Sequence, residues 1–217
     1  MQKYNLISNE IGMLNTGEDY SFINPYSFNL LIKSNRDYSS IRFGVDGGLL
    51  AKTLTILLHK PIDRISFDYT SIAKNVFRNA QESKLKVALV GAEQSELDSF
   101  VKKIKQEYTG IEISYSHSGY FNEQDFIGMA GKILQSDILI CSMGALTQEN
   151  FIGEIRTAGF KGTSYTCGGF FRQYSSAINA NYYPSWINKL GLRSLYRMYK
   201  EPHTIKRYLF GYPNALF

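Results

Sequence analysis

The stretch IRFGVDGGLL, residues 41–50, closes an apolar run with one carboxylate and two glycines. A carboxylate at the end of a strand can take a proton from a hydroxyl that reaches it. Neighbours without side chains leave room for that approach. Asp46 can equally cap the helix that follows. Other polar residues stand in comparable places: Asn24 in FINPYS, Arg64 and Asp68 in DRISFD, His117 in SHSGYF, and Gln148 and Glu149 in GALTQEN, while Gly91 in ALVGAEQSE puts a glycine at a strand–helix turn. Each has a plain structural reading as well. Asn24 before Pro25 suits a turn or an N-cap, Arg64 can pair with Asp68, and Gln148 can cap a helix or sit in solvent. In a parallel α/β sheet, however, the carboxyl ends of the strands line the ligand crevice, and that would bring these residues to one edge.

Several chemistries lack their usual signatures. There is no phosphate-binding G-x-x-x-x-G-K-[ST] loop and no G-x-G-x-x-G after a strand. G-x-S-x-G, H-E-x-x-H and C-x-x-C are missing too. The three histidines, His59, His117 and His203, are far apart, and no Asp-x-Asp offers paired carboxylates to a divalent ion. The expectation is chemistry without a metal or cofactor. Cys141 and Cys167 sit in apolar runs and read as two thiols rather than a disulfide.

The elements that must position these residues follow from periodicity. Strands are predicted at 20–23, 41–45, 64–67, 86–90, 111–115, 137–142 and 162–167. Helices are predicted at about 26–35, 47–58, 69–82, 93–107, 122–135 and 148–158. In 93–107, Leu97, Phe100, Val101 and Ile104 recur at steps of three and four, with Lys102, Lys103 and Lys105 on the other face. Strand–helix alternation at this rhythm predicts an α/β, Rossmann-like fold: a mainly parallel sheet with helices on both faces.

The chain has 217 residues, 44% of them hydrophobic and 20% charged, which is enough for one large domain with an appendage. Its net charge of +5 is unevenly placed. Residues 1–180 carry 18 basic and 18 acidic side chains. From 181 onward Lys189, Arg193, Arg197, Lys200, Lys206 and Arg207 face a single acid, Glu201. The division expected is a body over 1–180 and a basic helical appendage over 181–217. In the appendage Trp186, Ile187, Leu190, Leu195, Met198 and Tyr199 form an apolar set, and Lys189, Arg193, Arg197 and Lys200 a basic stripe. Such a helix can dock on the sheet, lie on anionic lipid or close over a phosphate-bearing ligand. A nucleic-acid partner is disfavoured by the neutral body and the lack of a binding module. No apolar signal segment and no membrane-length apolar run is visible, which predicts a cytoplasmic protein that is neither secreted nor membrane-spanning.

Taken in order, FINPYSF, VDGG, DRISFD, ALVGA, HSGYF, DILICSMGALTQENFI, YPSWINKLGLRSLYRMYKEP and KRYLFG resemble the WecG/TagA/CpsF glycosyltransferases over about residues 20–211. The resemblance implies a bacterial enzyme that moves a sugar from a UDP-sugar to a polyprenyl-diphosphate-linked saccharide at the cytoplasmic membrane face. Such enzymes serve capsule, exopolysaccharide, teichoic acid or common-antigen assembly, by inversion and without metal. It implies that Asp46 is the general base, that Asn24 lies near the donor, and that Arg64, Gln148, Arg197 and Arg207 bind substrate. The sequence departs from the family pattern at Phe22, where threonine is usual, at Leu49 for glycine, and at Thr147 for lysine. It departs again at Arg193-Ser194 and His203-Thr204 in the tail.

An inverting transfer needs a base for the acceptor hydroxyl and positive charge for the departing UDP. Without metal, that charge must come from arginine, backbone N–H groups and helix N-termini. A rival reading keeps the fold and drops catalysis, leaving a UDP-sugar or lipid-diphosphate binding protein. The expected partners are donor, acceptor and an anionic membrane surface, with a homo-oligomer left open.

Overall fold

The apolar runs do become strands, and they lie side by side in one direction. The computed structural model describes residues 5–9, 12–177, 187, 193–200, 202 and 205. Its strands are β1 (Asn5–Leu6), β2 (Asp19–Ile23), β3 (Ile41–Val45), β4 (Lys86–Gly91), β5 (Glu112–His117), β6 (Ile138–Ser142) and β7 (Thr163–Thr166). They form one sheet in the order β1-β3-β2-β7-β6-β4-β5, with every pairing parallel. The helices are α1 (Pro25–Lys33), α2 (Gly48–Leu58), α3 (Ala73–Glu82), α4 (Gln94–Glu107), α5 (Glu123–Ile133), α6 (Thr147–Thr157), α7 (Phe170–Ser176) and α8 (Arg193–Lys200).

A parallel sheet has to bury both faces, and the strand sequences show it. Residues 87–90 are apolar on both sides of the pleat, so Val87 and Leu89 meet one core while Ala88 and Val90 meet the other. The first core holds Val76 and Phe77 of α3, Leu97, Phe100 and Ile104 of α4, and Phe171 and Tyr174 of α7. The second holds Leu31 of α1, Met129 and Ile133 of α5, and Phe151, Ile152 and Ile155 of α6. Helix α2 packs at the β3 side of the sheet, where Leu50, Ala51 and Leu54 meet Val45 and Ile62. The expected α/β, Rossmann-like layering is the observed one.

Two local expectations need correction. Residues 64–67 are not a strand: only Arg64 bridges Val45, through Ile65 N–H to Val45 O at 2.9 Å. Turn chemistry overrides the apolar/polar alternation there, because the Asp68 carboxylate takes the Thr70 N–H at 2.7 Å and bends the chain. This turn also delays α3, which starts at Ala73 rather than 69. Two elements were not anticipated, the two-residue β1 and the seven-residue α7.

Helix α7 is closed at its C-terminus by Lys103 of α4. Its Nζ donates to the carbonyls of Tyr174 (3.0 Å), Ser175 (2.6 Å) and Ala177 (2.7 Å), three groups that a helix end leaves unpaired. Of the appendage, α8 and the buried Ile187 are described, with Leu195 and Tyr199 exposed. Pro202 and Ile205 are described as well, and the remainder of 181–217 lies outside the described residues.

Candidate active site

Two neighbouring strands deliver the first group of residues. Asp46 follows β3 and donates its backbone N–H to Ile23 O of β2 at 2.7 Å, which fixes it beside Asn24. Asn24 caps α1: its Oδ1 accepts from Ser27 N at 3.1 Å, and Ser27 Oγ accepts from Asn24 N at 2.9 Å. Asp46 is not the cap of α2. That position belongs to Gly47, whose φ of +129° suits glycine and which makes no side-chain cap. Asp46 Oδ1 instead accepts from Arg64 Nη2 at 3.1 Å, with its side chain 38% exposed at the sheet edge.

Arg64 is held from the other side as well. Its Nη2 donates to Asp68 Oδ2 at 2.9 Å and its Nη1 to Thr70 Oγ1 at 3.2 Å. Ser66 Oγ donates to Asp68 Oδ2 at 3.0 Å, so the carboxylate that orients Arg64 is itself oriented. Burial pulls the Arg64 pKa down, but the Asp46 and Asp68 charges outweigh it and hold the guanidinium more firmly protonated than usual. Burial likewise pushes Asp68 up, and the Arg64 charge with the Thr70 hydrogen bonds brings it below the ordinary carboxylate range. A depressed folded pKa stabilises above the unfolded value, about 3.9, and that stability is lost as pH falls through the folded one. The thermal midpoint of the wild-type chain is therefore expected to exceed that of Asp68→Asn at neutral pH. The gap should close on titration below about pH 4.

The second group lies where chain connections diverge. Helix α4 leads from β4 outward to β5, whereas α6 leads from the adjacent β6 the other way to β7, so the crevice between β4 and β6 is a topological switch point. Gly91 ends β4 with φ +141°, and a Cβ there would stand 2.2 Å from Ser142 O. Ala92 (φ +58°), just past β4, and Leu146 (φ +68°), the residue before α6, also occupy the left-handed region, which costs energy in a side-chain-bearing residue. His117 ends β5; its Nδ1 donates to Ser118 O at 2.8 Å, and Ser118 Oγ and Gly119 N both bond Ala92 O at 3.0 Å. Four inter-strand steps separate β4 from β3, so the two groups stand roughly 19 Å apart along the carboxyl edge of the sheet.

Gln148 and Glu149 join the halves from below. Neither is in solvent: they are 5% and 2% exposed. Gln148 Oε1 accepts from Gly168 N at 3.1 Å beyond β7, and Gln148 Nε2 donates to Glu149 Oε1 at 3.0 Å. The same Glu149 oxygen accepts from Ser21 Oγ of β2 at 2.7 Å, and Thr166 Oγ1 of β7 donates to Ser21 Oγ at 2.9 Å. Glu149 Oε2 accepts from Leu146 N at 2.6 Å, which ties the strained loop to this network. Ser21, Ser142 and Thr166 escaped the sequence reading. The signal available was a hydroxyl alternating with an aromatic, as in TSYT and DYSF.

The structure thus gathers Asn24, Asp46 and Arg64 at one end, Gly91 and His117 at the other, and Gln148 between them beneath the floor. Phe22, where threonine was expected by resemblance, lays its ring against Gly44 so closely that a Cβ there would meet it at 2.8 Å. Arg197 lies in α8, whose backbone is described, whereas the Arg197 side chain and all of Arg207 lie outside the described residues. Among the described residues no three His, Cys, Asp or Glu side chains gather as a metal site. No described helix is long and apolar enough to cross a membrane.

The chain is 37% identical over 198 residues to a UDP-Gal:alpha-D-GlcNAc-diphosphoundecaprenol beta-1,4-galactosyltransferase of Shigella boydii, covering 90% of this chain and 83% of that one. It is 28% identical over 197 residues to an N-acetylglucosaminyldiphosphoundecaprenol N-acetyl-beta-D-mannosaminyltransferase of Bacillus subtilis (strain 168), covering 89% and 75%. The sequence profile of the glycosyl transferase WecG/TagA/CpsF family matches residues 38–217. With a parallel α/β sheet, and with relatives of this kind along most of its length, the chain belongs to the WecG/TagA/CpsF family of glycosyltransferases.

Proposed function

We propose that this glycosyltransferase moves a hexosyl or N-acetylhexosaminyl group from a UDP-sugar to a polyprenyl-diphosphate-linked saccharide, with inversion and without metal, in surface-polysaccharide assembly. The observation that carries the reading is the Asp46 carboxylate. It is accessible at the end of β3, on the same edge as the β4/β6 switch point, and held by an arginine that has a second anchor. The names of the two relatives support donor and acceptor class.

In this reading Asp46 takes the proton of the acceptor hydroxyl as its oxygen bonds to the anomeric carbon. The carbon–oxygen bond to UDP breaks on the opposite face, and its electron pair leaves with the diphosphate. Because Asp68 retains Arg64, the guanidinium can turn to a phosphate and release Asp46 without being left unpaired. The strand-end glycine Gly91 and the residues about it receive the elongated donor, His117 flanks that end, Asn24 shapes the sugar end, and Gln148 keeps the Gly168 turn in place. Arg197 and Arg207 meet diphosphate or anionic lipid at the inner face of the membrane.

The test is a panel of UDP-sugars, UDP-galactose and UDP-N-acetylmannosamine among them, offered with a short synthetic N-acetylglucosaminyl lipid diphosphate. One donor is expected to give a β-linked product at a rate unaffected by chelator. Tight UDP-sugar binding with no transfer above background would instead establish the binding-protein reading that Phe22, Leu49 and Thr147 motivate.

A further inference from the structure

Helix α2 starts at the two residues after Asp46 and has two apolar sides. Its inward side is spent on Val45, Leu6 and Ile62 through Leu50, Ala51 and Leu54. The outward side keeps Ile56 and Leu57 in solvent at 72% and 62% exposure, adjacent to one another on the last turn. Isolated exposed apolar residues are ordinary, but a contiguous pair on a charged helix face is the mark of a contact surface. What surrounds the pair identifies the contact. Lys52 lies one turn before Ile56 on the same stripe, Lys60 follows just past the left-handed cap His59 that ends the helix, and all three are exposed. From Gly47 to Ile62 there is no acidic residue, the nearest being Asp46 before and Asp63 after. An apolar strip between two lysines suits a surface that is oily beneath and negatively charged at its rim. The lysine stems run along the apolar part while their ammonium groups reach outward.

We propose that the outward face of α2 is a membrane-docking surface: Ile56 and Leu57 enter the acyl boundary of an anionic leaflet, and Lys52 and Lys60 meet lipid phosphates. The helix axis then runs from the bilayer contact to Asp46. Over its eight residues from Gly48 to Thr55 that distance is about 12 Å. A saccharide held by a diphosphate in the headgroup layer thereby reaches the carboxylate without its polyprenyl chain leaving the bilayer. This placement rests on the acceptor being lipid-linked, and it is a contact separate from the basic C-terminal helix.

The experiment uses the full chain and phosphatidylcholine vesicles with and without phosphatidylglycerol, in flotation without donor or acceptor. Wild-type protein is expected to float with the anionic vesicles. Ile56→Asp with Leu57→Asp should lower that partition about tenfold or more at an unchanged thermal midpoint. Lys52→Glu with Lys60→Glu, at positions already exposed, gives a second variant and should remove the dependence on phosphatidylglycerol. Transfer to vesicle-borne acceptor should fall in both variants, while transfer to a short soluble acceptor stays at the wild-type rate. Unchanged flotation of both variants overturns the proposal. So does a wild-type dimer that the aspartate variant converts to monomer in light scattering, since a second copy would then cover the face. Failure of transfer to the soluble acceptor by wild type, with flotation as expected, would fault the reaction and leave the surface standing.

Discussion

Asp46→Asn is expected to lower the turnover number by about 10²–10⁴-fold, the usual contribution of a positioned general base. The KM for the UDP-sugar should stay within a few-fold, because the change removes a proton acceptor and not a donor contact. Asparagine keeps the shape and can still accept from Arg64, and Arg64 keeps Asp68 at 2.9 Å. The pair is also partly exposed, 38% at Asp46 and 27% at Arg64, so its loss should cost no more than about 1 kcal/mol of stability. The comparison with Asp46→Glu sharpens the test. Glutamate retains a base but displaces it by one methylene, and misplacement of about 1 Å costs on the order of 10²-fold. Near-normal turnover of Asp46→Asn in the lipid-acceptor assay would remove Asp46 from the role of base.

The second large effect concerns folding. Asp19 is 3% exposed on β2, and Arg156 of α6 reaches it from Nε (3.2 and 3.1 Å) and Nη2 (2.7 Å), while Ser164 Oγ adds a fourth bond at 2.6 Å. Arg156 also donates to the carbonyls of Phe160 (2.6 Å) and Gly162 (2.8 Å), so the guanidinium cannot turn away without abandoning the β7 entry. Asp19→Ala leaves a largely buried cation without its counter-ion. It is expected to lower unfolding free energy by about 3–5 kcal/mol in urea titration. Asp19→Asn, which keeps hydrogen-bond acceptance and loses the charge, should fall between. A loss below about 1 kcal/mol for the alanine variant would show that the ion pair contributes no more than a surface pair does.

The sequence carried the layering and the first end of the site, and for the same reason. Asn24, Asp46 and Gly91 each stand directly after an apolar run, so the rule that strand ends line the crevice finds them without knowledge of strand order. The runs at 87–91 and 138–142 are buried on both faces and read as strands whatever their neighbours. The segment 64–67 misled because its alternation is that of a strand, while its backbone follows the Asp68 turn. Helix α7 has only seven residues, too few for a period to show. The Glu149 network was illegible for a deeper reason. Ser21 and Thr166 are 145 residues apart and meet only because β2 lies beside β7, a non-local pairing that local pattern does not encode. Phe22 is the reverse case, since its departure from the family pattern was visible before its contact with Gly44.

That β2–β7 border has a mechanical consequence. β2 and β3 share five paired positions, and so do β4 and β6, but β2 and β7 share two, Asp19 with Ser164 and Tyr20 with Tyr165. Beyond Tyr20 the two strands are joined through side chains, Thr166 Oγ1 donating to Ser21 Oγ and Ser21 Oγ in turn to Glu149. The sheet is thus stiff in two panels and compliant along one line. That line separates the panel that ends in Asp46 from the panel that ends in Gly91. Widening at the carboxyl edge strains three side chains and no backbone ladder, so the distance between the two ends of the crevice can be retuned by hydroxyl substitutions while the fold stays as it is.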